Sequence, residues 1–126
     1  MGKFLLGVSI LLVFLALGLG VTAYADSTHA PITQDLQQAA QFSLSGDLAS
    51  ATALGNQAKD RWESHWHLVA VFSDHAPMDE IDGLFAQLEL YGKVSRHQDF
   101  AATAARISAL VEAMAEAHRP TWWNLL

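Results

Sequence analysis

The chain has 126 residues, 52% of them of apolar type, with 13 Asp+Glu against 7 Lys+Arg and a formal charge of −6. These figures allow one small domain, and the absence of Cys excludes a disulfide framework, a thiolate metal site and a Cys nucleophile. Seven scattered cations cannot build the basic face that phosphate contacts require, so no nucleic acid is expected as a partner.

Residues 4–24 carry no charge. In a helix rising about 1.5 Å per residue, that block just crosses a hydrocarbon core of roughly 30 Å. Lys3 precedes it and Asp26 follows it, so the positive-inside rule puts the N-terminus in the cytoplasm and the remainder outside. The expectation is a cell-membrane protein with a single pass through residues 4–24 and its C-terminal domain outside the cytoplasm. An alternative is a signal peptide, because Ala23-Tyr24-Ala25 before Asp26 has the small-x-small pattern of a cleavage site. Cleavage following Ala25 yields a secreted or periplasmic protein. Both readings divide the chain into residues 1–25, transmembrane anchor or signal peptide, and residues 26–126, an exported helical domain. The exported part carries 13 acids and the six cations other than Lys3, near −7, which suits it poorly to an anionic lipid surface.

The exported part reads as helix throughout. Its three prolines fall at boundaries, its interior is rich in Ala, Leu, Gln and Glu, and no run alternates with period two. Pro31 suits the first turn of a first helix, which buries Ile32, Leu36, Ala39 and Ala40 before Ser45-Gly46 stops it. Asp47 is expected to cap a second helix. Along it Leu48, Ala51, Gly55, Ala58, Trp62, His65, Val69 and Phe72 recur three or four apart, a seam small at its start and bulky at its end. A neighbour can approach closely near Ala51 and Gly55, and a homodimer through this seam stays open. Ser73-Asp74-His75-Ala76-Pro77 reads as a turn. A third helix from about Met78 buries Ile81, Leu84, Phe85, Leu88 and Tyr91, with Gly92 as its stop or a run on towards Arg96. The fourth, capped by Asp99, buries Phe100, Ala104, Ile107, Leu110, Val111 and Met114 and ends before Pro120. Asp47-Leu48-Ala49 and Asp99-Phe100-Ala101 form a weak internal echo.

The fold class is therefore all-α: an N-terminal transmembrane or signal helix followed by an antiparallel four-helix up-and-down bundle. The alternative is two stacked helical hairpins of tetratricopeptide type. In the bundle, His65 lies 18 residues along from Asp47 and His118 lies 19 from Asp99, so both stand at nearly one height, roughly 27 to 29 Å from the opposite end. Trp62, Trp66, His67, His75, Trp122 and Trp123 join that end, where an uncleaved anchor enters.

Besides pH sensing by its histidines, three roles follow for this cluster. In the first, the tryptophans plug the wide end of the core with histidines at its rim, and a buried indole N–H finds a neighbouring His or carboxylate. In the second, Trp62, Trp66, His67, Trp122 and Trp123 form a partner surface or membrane-proximal belt. In the third, His65, His75 and His118 with Asp79 or Asp82 bind Zn or Cu, although no His-Glu-x-x-His spacing supports it. The acidic run Asp74, Asp79, Glu80 and Asp82 is expected to cap the third helix. Asp79 and Asp82 face each other only as a bare carboxylate pair. No nucleophile, oxyanion donor or phosphate loop accompanies them, so no catalytic residue, cofactor or enzymatic activity is expected.

Trp62 and Trp66, then His75 with Asp79-x-Ile81-Asp82, then Tyr91, then Thr121-Trp122-Trp123-Asn124-Leu125-Leu126 resemble a family of small bacterial proteins of unknown function, the DUF4363 type. The resemblance covers most of residues 45–126 and implies a membrane-tethered helical domain with no assigned activity. The expected function is a non-catalytic interaction or structural component of the cell envelope, with a membrane or envelope protein as partner. An envelope protein binding Zn or Cu through its histidines is the alternative.

Overall fold

The structure, a computed structural model, describes residues 1–69 and 75–117, with side chains at 1–20, 27–65 and 75–117. It consists of α1 (Gly2–Leu44), α2 (Leu48–Val69), α3 (His75–Lys93) and α4 (His97–Ala117), with no strand among the described residues.

The first helix differs from expectation. Pro31 does not open a separate helix but lies inside α1, which runs unbroken for 43 residues, about 64 Å. An interior proline forfeits one backbone bond and costs about 3 kcal/mol. Packing offsets that cost, since Ile32, Leu36 and Ala39 beyond it are fully buried. The Thr33 hydroxyl donates to the Ala30 carbonyl at 3.0 Å, beside the break.

The stop after α1 is as expected. Gly46 takes φ +91°, and the Gly46 and Asp47 amides donate back to Ser43 (3.1 Å) and Phe42 (2.9 Å). Asp47 then caps α2, its carboxylate accepting from the Ser50 amide at 3.1 Å and the Ser50 hydroxyl at 2.7 Å. Those two bonds, the hydroxyl's first, hold the Asp47 carboxyl below its ordinary value.

The second hairpin corrects several expectations. His75, Ala76 and Pro77 form the first turn of α3 rather than a turn before it, because an amide in a first turn has no helical partner for proline to remove. Ser73 and Asp74 lie outside the described residues. Gly92 does not stop α3. The left-handed position is Ser95, at φ 57°, and the Arg96 amide closes back on Tyr91 at 3.0 Å. Gly92 instead permits a close approach, since a Cβ there would stand 3.2 Å from the Thr52 hydroxyl of α2. Asp99 is not the cap of α4 but a first-turn acid paired with Arg96, favourable at the positive helix end. The two Asp-x-Ala triplets thus occupy different helical positions.

α1 packs most extensively on α4 and α2, α3 packs on α4, and the α2–α3 seam is the thinnest. Contact between the first and last helices closes the ring. The fold is therefore the antiparallel up-and-down bundle and not an open stack of hairpins. Of the expected α2 seam, Ala51, Gly55, Ala58 and Trp62 are buried and Leu48 and His65 half-buried, while the Val69 side chain lies outside the described set and Phe72 outside the described residues. A Cβ on Gly55 would lie 3.2 Å from Leu88 and 3.4 Å from Phe100, so this glycine sets the close approach of α3 and α4. Ile81, Leu84, Phe85 and Leu88 are buried, as are Phe100, Ala104, Ile107, Val111 and Met114. Tyr91 and Leu110 are only half-buried, and Met78, read as a helix start, is fully buried. The Ser43 hydroxyl donates to the His97 carbonyl at 2.7 Å, which fixes both short links at one end, opposite the entry of α1.

Candidate functional site

The end at which α1 enters holds a set of polar contacts between helices. His65 of α2 is half-buried, with Nδ1 3.1 Å from the Arg61 carbonyl and Nε2 2.8 Å from the Thr28 hydroxyl of α1. Both ring nitrogens of His65 are thus engaged, one on its own helix and one on α1. Beside it the Arg61 Nε pairs with Asp35 Oδ2 of α1 at 3.1 Å, with the Asp35 side chain only 13% exposed.

Trp62, one turn before Trp66 in sequence, is 3% exposed, and its indole N–H donates to Asp82 Oδ1 of α3 at 2.8 Å. This matches the expected carboxylate partner for a buried tryptophan. Trp62 therefore plugs the core rather than facing a partner. Trp66 and His67 belong to the last turns of α2, and their side chains lie outside the described set. Trp122, Trp123 and His118 lie outside the described residues altogether. His29 is buried on α1, while His75 is exposed at the start of α3.

The acids of α3 do not cap it. The helix begins at His75, so Asp79, Glu80 and Asp82 fall beyond its first turn. Asp82 holds Trp62, Glu80 accepts from Arg106 of α4 at 2.8 Å, and Asp79 is exposed. An exposed pair such as Arg106–Glu80 contributes little, at most about 1 kcal/mol. Of the proposed metal ligands, His65 spends its ring on Thr28 and Arg61, and Asp82 spends its carboxylate on the indole. Among the described residues no group of three or more His, Asp or Glu side chains is gathered to hold an ion.

A cleft of about 450 Å³ opens along the thin α2–α3 seam, lined by Lys59, Glu63, Asp82 and Phe85. Lys59 stands 3.7 Å from both Glu63 and Glu89, and Lys93 lies 2.9 Å from Glu89. Lys93, through its hydrogen bond and charge, and Lys59 hold the Glu89 carboxyl below its ordinary value. The cleft wall is a surface ion network, with no hydroxyl, thiol or imidazole among its lining residues.

Thr28 and the Asp35–Arg61 pair were not singled out in the sequence. Thr28 lay upstream of the helix start assigned to Pro31, and a pairing 26 residues apart leaves no local pattern. Helical spacing did carry one signal, since Asp35 shares a face with Ile32 and Ala39.

These features define an all-α protein whose N-terminal helix, over Gly2–Gly20, is long and apolar enough to cross a membrane or to serve as a signal sequence. Residues 19–125 match DUF4363, a domain of unknown function, and the chain belongs to that family. No curated protein matches the chain, and no solved structure matches it.

Proposed function

We propose that the protein is a membrane-anchored helical module held outside the cytoplasm of a bacterial cell, acting without catalysis as an interaction or structural component of the envelope. The observation that carries this reading is the continuity of α1. One helix contains both the apolar span Gly2–Gly20, none of it buried, and the stripe that packs into the bundle from Thr28 to Ser43. A helix couples two parts at fixed distance and orientation, as a flexible linker does not. The bundle is thereby presented at a set height on the membrane, where its partner is a membrane or envelope protein.

The test is expression of the full chain in a bacterium, followed by fractionation and intact mass. A full-length mass in the membrane fraction, resistant to alkali and salt, supports the anchor. A soluble species beginning at Asp26 overturns it. Such a species would still fold as a bundle, because among the described residues the buried positions of α1 begin at Thr28.

A further inference from the structure

We infer that the end of the bundle at which α1 enters is a phospholipid-contact surface, with the last turn of α2 and the first turn of α3 resting in the headgroup layer. This builds on the membrane-anchored reading and adds where the bundle stands on the bilayer. Helical rise sets the heights. At about 1.5 Å per residue, Thr28 stands about 6 Å beyond Tyr24, the last residue of the charge-free block. The 2.8 Å contact between His65 and Thr28 puts that point of α2 at the same height. α2 runs the opposite way, so Val69, its last residue, descends about 6 Å further, level with Tyr24.

A second register gives the same answer. Trp62 lies about 4 to 5 Å above His65, and its 2.8 Å bond to Asp82 ties α3 to that height. His75 precedes Asp82 by seven residues and so stands about 10 Å lower, again close to the level of Tyr24. The headgroup layer on one side of a bilayer is about 5 to 7 Å deep. Even with the hydrocarbon edge as early as Gly20, the end of the apolar span, both helix ends stand only about 6 Å above it.

The chemistry of these turns fits that position. The exported part is acidic as a whole, yet residues 27–34, 64–69 and 75–78 contain no Asp, Glu, Lys or Arg. The whole interval between Glu63 and Asp74 is free of charge. The carboxylates that border these runs are Asp26, Asp35, Glu63, Asp74 and Asp79. The two helix ends themselves therefore bring no carboxylate to the lipid. Its described surface at the start of α3 is His75, Ala76 and Pro77, all exposed.

The chain has no Cys, so single-Cys variants carry one label each. Full-length Ala76→Cys, Ala49→Cys and Leu12→Cys are labelled with a fluorophore and reconstituted in vesicles of phosphatidylcholine and phosphatidylglycerol. The vesicles carry a nitroxide quencher on either the headgroup or the acyl chain. The headgroup nitroxide should quench the Ala76 label several-fold more than the Ala49 label, which sits at the opposite end. The acyl-chain nitroxide should quench the Leu12 label. If Leu12 responds but Ala76 behaves like Ala49, the anchor stands and the lipid contact is overturned. A label at Ala76 that is shielded from water-soluble quencher yet insensitive to lipid nitroxide indicates a protein covering this end, and also overturns it. No response at Leu12 removes the anchored reading, and the lipid contact with it.

Discussion

Residues 2–20 and 28–44 belong to one helix and differ in nearly everything except backbone. In the first stretch the apolar side chains point to every side and all are exposed. In the second they form a stripe, Ile32, Leu36 and Ala39, buried against α2 and α4. The difference teaches that helix formation is independent of what the helix packs on. An all-round apolar surface suits lipid, and a single stripe suits a bundle. Pro31 lies within the second stretch without ending α1.

The largest expected effect that sharpens this comparison comes from truncating the stripe. Leu36 is fully buried, and Leu36→Ala should destabilise the bundle by about 2–5 kcal/mol, read by urea unfolding, with membrane partition unchanged. Leu12→Arg should do the reverse. It places a charge in the span at a cost of about 2.5–3.5 kcal/mol, read as protein lost from the membrane fraction, with the unfolding midpoint of the bundle unmoved. If both variants change both measurements, the two halves of α1 are not independent.

Next in size is crowding at the close approach of α2. Gly55→Leu drives a side chain into Leu88 and Phe100, 3.2 and 3.4 Å from where its Cβ would sit. A loss of about 1–3 kcal/mol is expected on thermal or urea unfolding. Smaller opposed effects are expected at the two short links. Gly46→Ala, at φ +91°, should cost about 1 kcal/mol, whereas Ser95→Gly, at φ 57°, should stabilise by about 0.5–1 kcal/mol. Equal responses at the two positions would show that the links do not share one stop geometry.

The smallest effect is a pH dependence at the cap of α2. The Asp47 carboxyl is held below its ordinary 3.8 by the Ser50 hydroxyl and amide, so its folded value lies under its unfolded one. Its contribution is therefore complete above the unfolded value and fades as pH falls through the folded one. Asp47→Asn retains a capping side chain that does not titrate. The difference in melting temperature between the two proteins should be constant near neutrality and change only in acid, below about pH 4.

Much of this was legible because it is local. The charge-free block, the stop at Ser45-Gly46, the cap at Asp47 and the small-to-large seam of α2 each depend on residues within one or two turns. The missed boundaries have one cause, the reading of Pro and Gly as punctuation. Pro31 and Pro77 lie within helices, and Gly92 serves a close approach to Thr52 while Ser95 makes the turn. Such choices depend on what a neighbouring helix requires.

By itself the sequence determined that the chain is helical, that one segment is apolar all round, and that the second helix carries a small-residue seam. These follow from composition and period, which act along a single helix. Only the tertiary structure decided that α4 closes on α1, that Asp82 receives the Trp62 indole, that Arg61 meets Asp35, and that Thr28 meets His65. Those pairings join residues far apart in the chain. Side-chain hydrogen bonds and ion pairs reach only a few ångströms, so the packing of whole helices must first bring the partners together.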